Sequence, residues 1–207
     1  VPLPVYLTKM KSAVIQECYI NCWYSIEKIV NMILQSLRLN FRPCTNTDVP
    51  LLLRHWTEPL VRRYLFDDRI TDSETVEKFV TSSTACFEEY GHGLWLITSK
   101  TDNQFQGVCG LWEGNQEKAE LLYSMDRLYW GQGLATESTQ CVLNYGFNIV
   151  GLQEITATVD KPNTQSINVL EKLGMFLQQE QQVNNHPILN YSLTKSDYLK
   201  NQALTIF

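Results

Sequence analysis

Apolar residues recur along this chain first at helical and then at mixed spacings. Ile15, Tyr19, Cys22, Ile26, Ile29 and Ile33 alternate steps of four and three, which is one face of a helix that Trp23, Val30 and Leu34 widen. The spacing fixes that face and leaves its partner open: its own domain, a second copy of the chain, or neither if the stretch lies outside the functional domain. From Leu37 the pattern changes. LRLNFRPC alternates as a strand, and Thr47 or Asp48 offers an N-cap for a helix through VPLLLRHW, with Pro50 tolerated in its first turn and Pro59 closing it. TDSETVEKFVTSSTACFEEYG predicts a second helix, capped by Asp72 or Ser73 and stopped by Gly91.

Three strands follow, GLWLITSK, FQGVCGLWEG and KAELLYSMD. In the third, Ala119, Leu121, Tyr123 and Met125 point one way, and Glu120, Leu122, Ser124 and Asp126 the other. A glycine-rich opening then leads into a helix bearing Leu134, Cys141, Val142, Tyr145 and Phe147. EITATV reads as a strand, and PNTQSINVLEKLG as a helix with Pro162 near its start and Gly174 at its end. MFLQQEQ and ILNYSLTK close the chain as a strand pair. This order predicts a mixed α/β sheet of about seven strands.

Composition narrows the function. With 44% hydrophobic residues the chain can bury one sizeable core, and its formal charge of -5 lacks the basic footprint of a nucleic-acid binder. The cysteines, at 18, 22, 44, 86, 109 and 141, form no CxxC pair, and Cys18 and Cys22 have no histidine nearby. No metal site is expected, and free thiols fit a reducing cytoplasm. Residues 1–36 show no apolar run followed by a cleavage site, and Glu17, Asn21, Glu27, Lys28 and Asn31 interrupt any membrane span. His55, His92 and His186 follow no order that makes a hydrolytic triad, and Trp95 and Trp112 read as core.

The candidate chemistry centres on WGQGLATE. A strand runs into Gly131, Gln132 and Gly133, and a helix begins at once. Glycines let a backbone approach a ligand closely, and free N–H groups at a helix start favour a phosphate. The same pattern also suits a plain tight turn. It is not a Walker loop, since no Gly-Lys-Ser/Thr follows, and not a dinucleotide fingerprint, since a third glycine is missing.

Tyr129–Glu137, YWGQGLATE, resembles the pyrophosphate loop of GNAT acetyltransferases, and specifically their ribosomal-protein acetyltransferase branch (RimJ/RimL type), where tyrosine-tryptophan-glycine, glycine, then alanine-threonine-glutamate is common. Asn163–Met175, NTQSINVLEKLGM, is similar to the family's asparagine-x-x-serine helix, with Met175 in place of the usual phenylalanine. LNFRPCTNTDVPLLLRHW resembles its first strand and helix, so the likeness spans about Leu37 to Tyr198.

The resemblance implies a mostly antiparallel sheet with flanking helices and a splayed cofactor cleft. It divides the chain into an N-terminal helical extension at 1–36, an acetyltransferase domain at 37–200 and a tail at 201–207. Acetyl-CoA is the implied cosubstrate, without a metal. Its pantetheine arm would pair with the strand ending at Met125 and Asp126, and Asn163 would bond its amide or simply cap a helix. Its pyrophosphate would sit on the segment Trp130, Gly131, Gln132, Gly133, Leu134, Ala135 and Thr136. Glu120 is the candidate base, directly or through water, or else a surface carboxylate. Ser166 is the candidate partner of the leaving thiolate, because Leu170 stands where many members have a tyrosine. The acceptor would be a primary amine, either a protein N-terminus or a small amine, and Phe66–Asp68 is either an acceptor-side loop for a cation or an ordinary solvated one. The chain would act as monomer or homodimer. Two other readings compete: a catalytically silent acyl-CoA-binding module, and an interaction protein built on the N-terminal helix.

Overall fold

The computed structural model describes residues 34–183 and 186–204. The helical face from Ile15 to Ile33 lies outside them. One sheet holds all eight strands of the described residues: β1 (Leu34–Gln35), β2 (Leu39–Pro43), β3 (Leu94–Ser99), β4 (Phe105–Gly114), β5 (Lys118–Met125), β6 (Glu154–Asp160), β7 (Phe176–Val183) and β8 (His186–Thr194). Their spatial order is β1-β2-β3-β4-β5-β6-β8-β7. Every neighbouring pair is antiparallel except β5 and β6, which are parallel. The mixed, mostly antiparallel sheet expected from the sequence is present, with eight strands in place of about seven. The additional one is β1, where Leu34 pairs with Phe41 and Gln35 with Asn40. Leu34 and Gln35 therefore belong to the sheet rather than to a helical extension, and Leu34 is buried.

The described helices are α1 (Val49–Thr57), α2 (Pro59–Leu65), α3 (Ser73–Tyr90), α4 (Leu134–Tyr145), α5 (Thr164–Lys172) and α6 (Lys195–Leu204). They cover both faces of the sheet. On one face Phe41, Trp95, Leu121 and Met125 pack with Leu134, Val142 and Tyr145 of α4 and Leu170 of α5. On the other, Leu94, Leu96 and Val108 pack with Leu52 and Trp56 of α1, Val61 of α2 and Val80 of α3. Each such side chain contributes about 1.5–3 kcal/mol when fully buried. The alternation along β5 divides as predicted: Ala119, Leu121, Tyr123 and Met125 join the first cluster and Leu122 the second.

Two helices depart from the sequence reading. Pro59 does not close the helical region but opens α2. Glu58 leaves the helical conformation, its carboxylate accepts from the amides of Leu60 and Val61, and Pro59 has no N–H to leave unsatisfied. Beyond β8 the chain enters α6, which takes in residues 201–204 of the expected tail at 201–207; residues 205–207 lie outside the described ones. At the start of α6 Thr194 accepts from the amide of Asp197 and donates to its carboxylate, a cap that the sequence reading passed over. Among the described residues no helix is long and apolar enough to cross a membrane, and no group of His, Cys, Asp and Glu could hold a metal ion.

Candidate active site

The sheet opens at the parallel seam. β5 and β6 pair only from Lys118–Glu154 through Ala119–Ile155 to Glu120–Thr156, although both strands run on. Peptide groups alternate sides along a strand. The amide of Asp126 donates to Gln106 on β4, and the carbonyl of Glu117 accepts from Gln153 and Glu154 on the β6 side. The even-numbered residues of β5 thus face β4. Leu121, Tyr123 and Met125 turn their peptide groups toward β6. The Leu121 amide closes the last rung, and the Met125 carbonyl is taken by Trp130. Between them the Leu121 carbonyl, both peptide groups of Tyr123 and the Met125 amide face a ladder that has ended. This is a free strand edge inside the sheet, of the kind an extended amide-bearing arm can pair with. Met125 belongs to that edge, but Asp126 does not. Asp126 instead caps the 3-10 turn Arg127–Tyr129, its carboxylate accepting from Leu128.

The free edge runs into the glycine loop. Gly131 and Gly133 have φ of 75° and 76°, the left-handed region that costs other residues about 1–2 kcal/mol. A side chain at Gly131 would meet no protein atom within 4 Å, and one at Gly133 would meet only the guanidinium of Arg38, at 3.7 Å. The glycines therefore meet a backbone requirement, not a packing one, and the space above them is open. Helix α4 begins at Leu134 with no side-chain cap, so the amides of Gly131 to Thr136 have no partner among the described residues. They converge with the positive end of the helix dipole, an arrangement suited to a phosphate.

Arg38, just before β2, pins this loop. Its Nε donates to Glu137 Oε2 at 2.6 Å and its Nη1 to the Gln132 carbonyl at 3.0 Å. The Glu137 carboxylate also accepts from the Ser36 hydroxyl and the Arg38 amide. Burial pushes the Glu137 carboxyl up, but these bonds outweigh it and hold it below the ordinary range. With the Gln132 carbonyl tied down, the loop amides are free to face outward. Trp130 closes the strand edge, its indole N–H donating to the Met125 carbonyl at 2.8 Å.

Ser166 and Asn163 lie at the start of α5. The Asn163 carboxamide oxygen accepts from the Ser166 amide at 3.2 Å, which makes Asn163 the helix cap. The Ser166 hydroxyl lies 2.6 Å from the phenol of Tyr123, which is also 3.2 Å from the Ser166 carbonyl. Burial pushes the Tyr123 phenol well up, offset only in part by the bond to Ser166. Glu120 occupies the last rung of the parallel ladder, on the opposite face of β5. It is half-buried, and its carboxylate has no hydrogen bond or ion pair among the described residues. Trp112 is its cross-strand neighbour on that face, and stacks on Phe79 at 4.6 Å. Glu120 and Ser166 thus flank the seam from opposite sides of the sheet.

The rest of the Glu120 face is closed by packing. His55 Nε2 lies 3.0 Å from the Ser124 hydroxyl, which also accepts from the Trp56 indole at 3.2 Å. Burial pushes the His55 imidazole down, and the Ser124 carbonyl, Asp126 and Glu58 offset this only in part. In the loop after α2, Asp67 and Asp68 are each tied to an arginine, Arg69 at 3.5 Å and Arg62 at 2.9 Å. The solvated-loop reading of Phe66–Asp68 fits this better than a cation trap. Sequence reasoning missed Tyr123 and Arg38. Alternation already placed Tyr123 on the face of Met125, but nothing local could pair Arg38 with Glu137, 99 residues away.

Comparison with known proteins agrees with this geometry. The family described as acetyltransferase (GNAT) domain matches residues 38–176. An uncharacterized N-acetyltransferase, p20, of Bacillus licheniformis is 31% identical over 140 residues, 66% of this chain and 78% of that one. The spermidine N(1)-acetyltransferase of Escherichia coli is 32% identical over 146 residues, 69% of this chain and 75% of that one. RimL, a ribosomal L7/L12 α-N-protein acetyltransferase solved in complex with coenzyme A, superposes with a TM-score of 0.68 at 19% identity, covering 80% of this chain and 99% of the other. Relatives of the ribosomal-protein and spermidine kinds stand side by side, so the resemblance narrows to the superfamily and not to the RimJ/RimL branch. The chain belongs to the GNAT acetyltransferases, and its activity is the transfer of an acetyl group from acetyl-CoA to an amine.

Proposed function

We propose that Glu120 takes the proton of the acceptor amine, directly or through water, and that Ser166 donates a hydrogen bond to the departing sulfur. The acceptor is a primary amine, small or at a protein N-terminus, that reaches Glu120 from the face covered by α1–α3. The observation that carries this reading is the unpartnered, half-buried carboxylate of Glu120 at the rung where β5 and β6 part.

Acetyl-CoA supplies a thioester whose acyl carbon is open to a nitrogen nucleophile. The residues present fit it. The amides of Gly131, Gln132, Gly133, Leu134, Ala135 and Thr136 suit its pyrophosphate, and the free edge at Leu121, Tyr123 and Met125 suits its amide-bearing arm. Asn163 acts as the cap that presents Ser166, and Trp130 ends the edge. Glu120 works on the nitrogen because an amine is largely protonated near neutral pH and attacks only as the free base. The aspartates of the α2–α3 loop are neutralised by arginines, so nothing there favours a polycation over a monoamine or a peptide N-terminus.

The first measurement is acetyl-CoA consumption over a panel of spermidine, monoamines and peptides with free N-termini. On the acceptor it selects, Glu120→Gln should lower kcat about 10²–10⁴-fold near neutral pH. Acetyl-CoA affinity should stay unchanged, and the deficit should narrow at high pH. Wild-type kcat across the whole pH range would remove Glu120 from the mechanism.

A further inference from the structure

The seam is crossed by one hydrogen-bonded pair that the chemistry above leaves unused. Tyr123 stands on the free edge of β5, three residues past the last ladder rung, and its phenol reaches across to the first turn of α5. There it meets two atoms of one residue, the Ser166 hydroxyl at 2.6 Å and the Ser166 carbonyl at 3.2 Å.

A phenol has one proton to give, so two arrangements exist. In one, Tyr123 donates to the Ser166 carbonyl, and the serine hydrogen is spent on the phenol oxygen. In the other, Tyr123 donates to the serine oxygen, and the serine hydrogen is free to point into the cleft. An acceptor in the cleft, above all an anionic one, favours the second arrangement, because hydrogen bonds to a charged acceptor are the stronger ones and donors in a chain polarise one another. Resting on the assignment of Ser166 above, we propose that Tyr123 is the positioning residue that turns the Ser166 hydroxyl toward the leaving sulfur.

Tyr123 needs only to donate and never to lose its proton. Burial favours its neutral form, so it remains a donor over the working pH range. The transfer balances without it. The nitrogen–carbon bond forms as the carbon–sulfur bond breaks, and the electron pair leaves on sulfur. The amine proton goes to Glu120 and on to water, and the thiolate is finally protonated from water. Ser166 and Tyr123 lower the energy of the sulfur anion while it exists. The titratable group beside the pair is Cys109, the cross-strand neighbour of Tyr123 on β4, whose thiol burial pushes up and keeps neutral, while Glu120 lies on the opposite face of β5.

The test uses Tyr123→Phe, which keeps the ring in place and removes only the hydroxyl, together with Ser166→Ala and the double variant. Two readouts are needed. The first is kcat and KM: Tyr123→Phe should lower kcat by up to about tenfold, the upper end for loss of one neutral hydrogen bond, with KM for acetyl-CoA unchanged. If Tyr123 acts through Ser166, the double variant should be no worse than Ser166→Ala alone. The second is calorimetry with CoA itself and no turnover. A free thiol ionises near about pH 8.5, so wild-type affinity for CoA should rise several-fold between pH 7 and pH 9.5. Both single variants should flatten that rise. The inference is overturned if Tyr123→Phe keeps wild-type kcat and the wild-type pH rise while Ser166→Ala loses both. It is equally overturned if the two deficits multiply in the double variant, because Tyr123 is then a brace between β5 and α5. If Ser166→Ala itself behaves as wild type in both readouts, the assignment of Ser166 falls, and Tyr123 with it.

Discussion

The two faces of β5 build a site in opposite ways. On the side of α4 and α5 the unpartnered polar groups are peptide amides. Gly131 and Gly133 hold the left-handed backbone, α4 starts uncapped, and one arginine fixes the Gln132 carbonyl so that the neighbouring amides face out. On the side of α1–α3 the polar groups are side chains, and nearly all are spent on one another. His55 and Trp56 converge on Ser124, Arg62 and Arg69 hold Asp68 and Asp67, and the Glu120 carboxylate is left over. A site made of backbone has the same chemistry for any side chains that permit its φ/ψ. A site made of side chains is as specific as the partners it leaves unpaired. The first arrangement suits a cosubstrate common to a whole family, and the second suits an acceptor that differs from one member to another.

The sharpest way to break this contrast is Gly133→Val. Valine at φ 76° costs about 1–2 kcal/mol of backbone strain and places a branched side chain over the amides. Strain and occlusion together should lower CoA affinity by about a hundredfold, which is about 2.7 kcal/mol. Calorimetry on a folded variant measures it. A variant that folds with a wild-type dissociation constant would show that the loop amides do not hold the cosubstrate.

The same contrast explains what could be read from the sequence. The local structure on the side of α4 and α5 was legible because its determinants are local. Glycines two apart, a helix starting at Leu134 and alternation along β5 all speak through neighbouring residues, and the two motifs sit at family spacing. Arg38 and Tyr123 were not legible, because their tasks depend on partners 99 and 43 residues away. Asp126 was misjudged for a subtler reason. Period two gives the direction of a side chain, but not which edge of the strand carries the free peptide groups. That required knowing that β4, and not β6, takes the Asp126 amide. On the side of α1–α3, α2 was hidden behind Pro59, and the ties on Asp67 and Asp68 depend on a turn with φ of 51° and 60° that no glycine announces.

A second test concerns the packed polar cluster on the side of α1–α3. Burial holds the His55 imidazole below its ordinary value, so the folded protein binds fewer protons than the unfolded chain at mildly acid pH. Stability from this group is complete above the unfolded value of about 6.5 and is lost as pH falls through the folded value. Between pH 7 and 5.5 the unfolding free energy should fall, by no more than the limit of about 1.4 kcal/mol per pH unit for one proton. Asp48 and Glu137, whose carboxyls are lowered, act only at more acid pH, and Asp160, raised by burial and Asp67, works in the opposite sense. Denaturant titrations of wild type and His55→Gln at the two pH values measure the difference. The variant should show a flatter pH dependence with unchanged CoA affinity at pH 7. A weaker CoA affinity would mean that the two faces of β5 are coupled, and the division drawn above would fail.

The smallest expected effect is at Trp130, where the two ways of building a site meet. Its indole is a side chain that serves the backbone face: it donates to the Met125 carbonyl and so marks where the free edge of β5 stops. The residue is 37% exposed, so a carbonyl released by Trp130→Phe can turn to water. Net loss of such a bond is about 0.5–1.5 kcal/mol at most sites, and water access puts this one at the low end. Thermal stability should therefore change little. The Met125 carbonyl, however, becomes free to pair with an extended arm one residue further along the edge, or to compete for its register. Affinity for CoA should shift by about two- to fivefold, an energy of about 0.4–1 kcal/mol. A truncated pantetheine thioester, which lacks the pyrophosphate, should show the same shift, because the edge and not the loop is altered. If instead CoA weakens and the truncated thioester does not, Trp130 acts through the glycine loop beside it, and its bond to Met125 is only a surface contact.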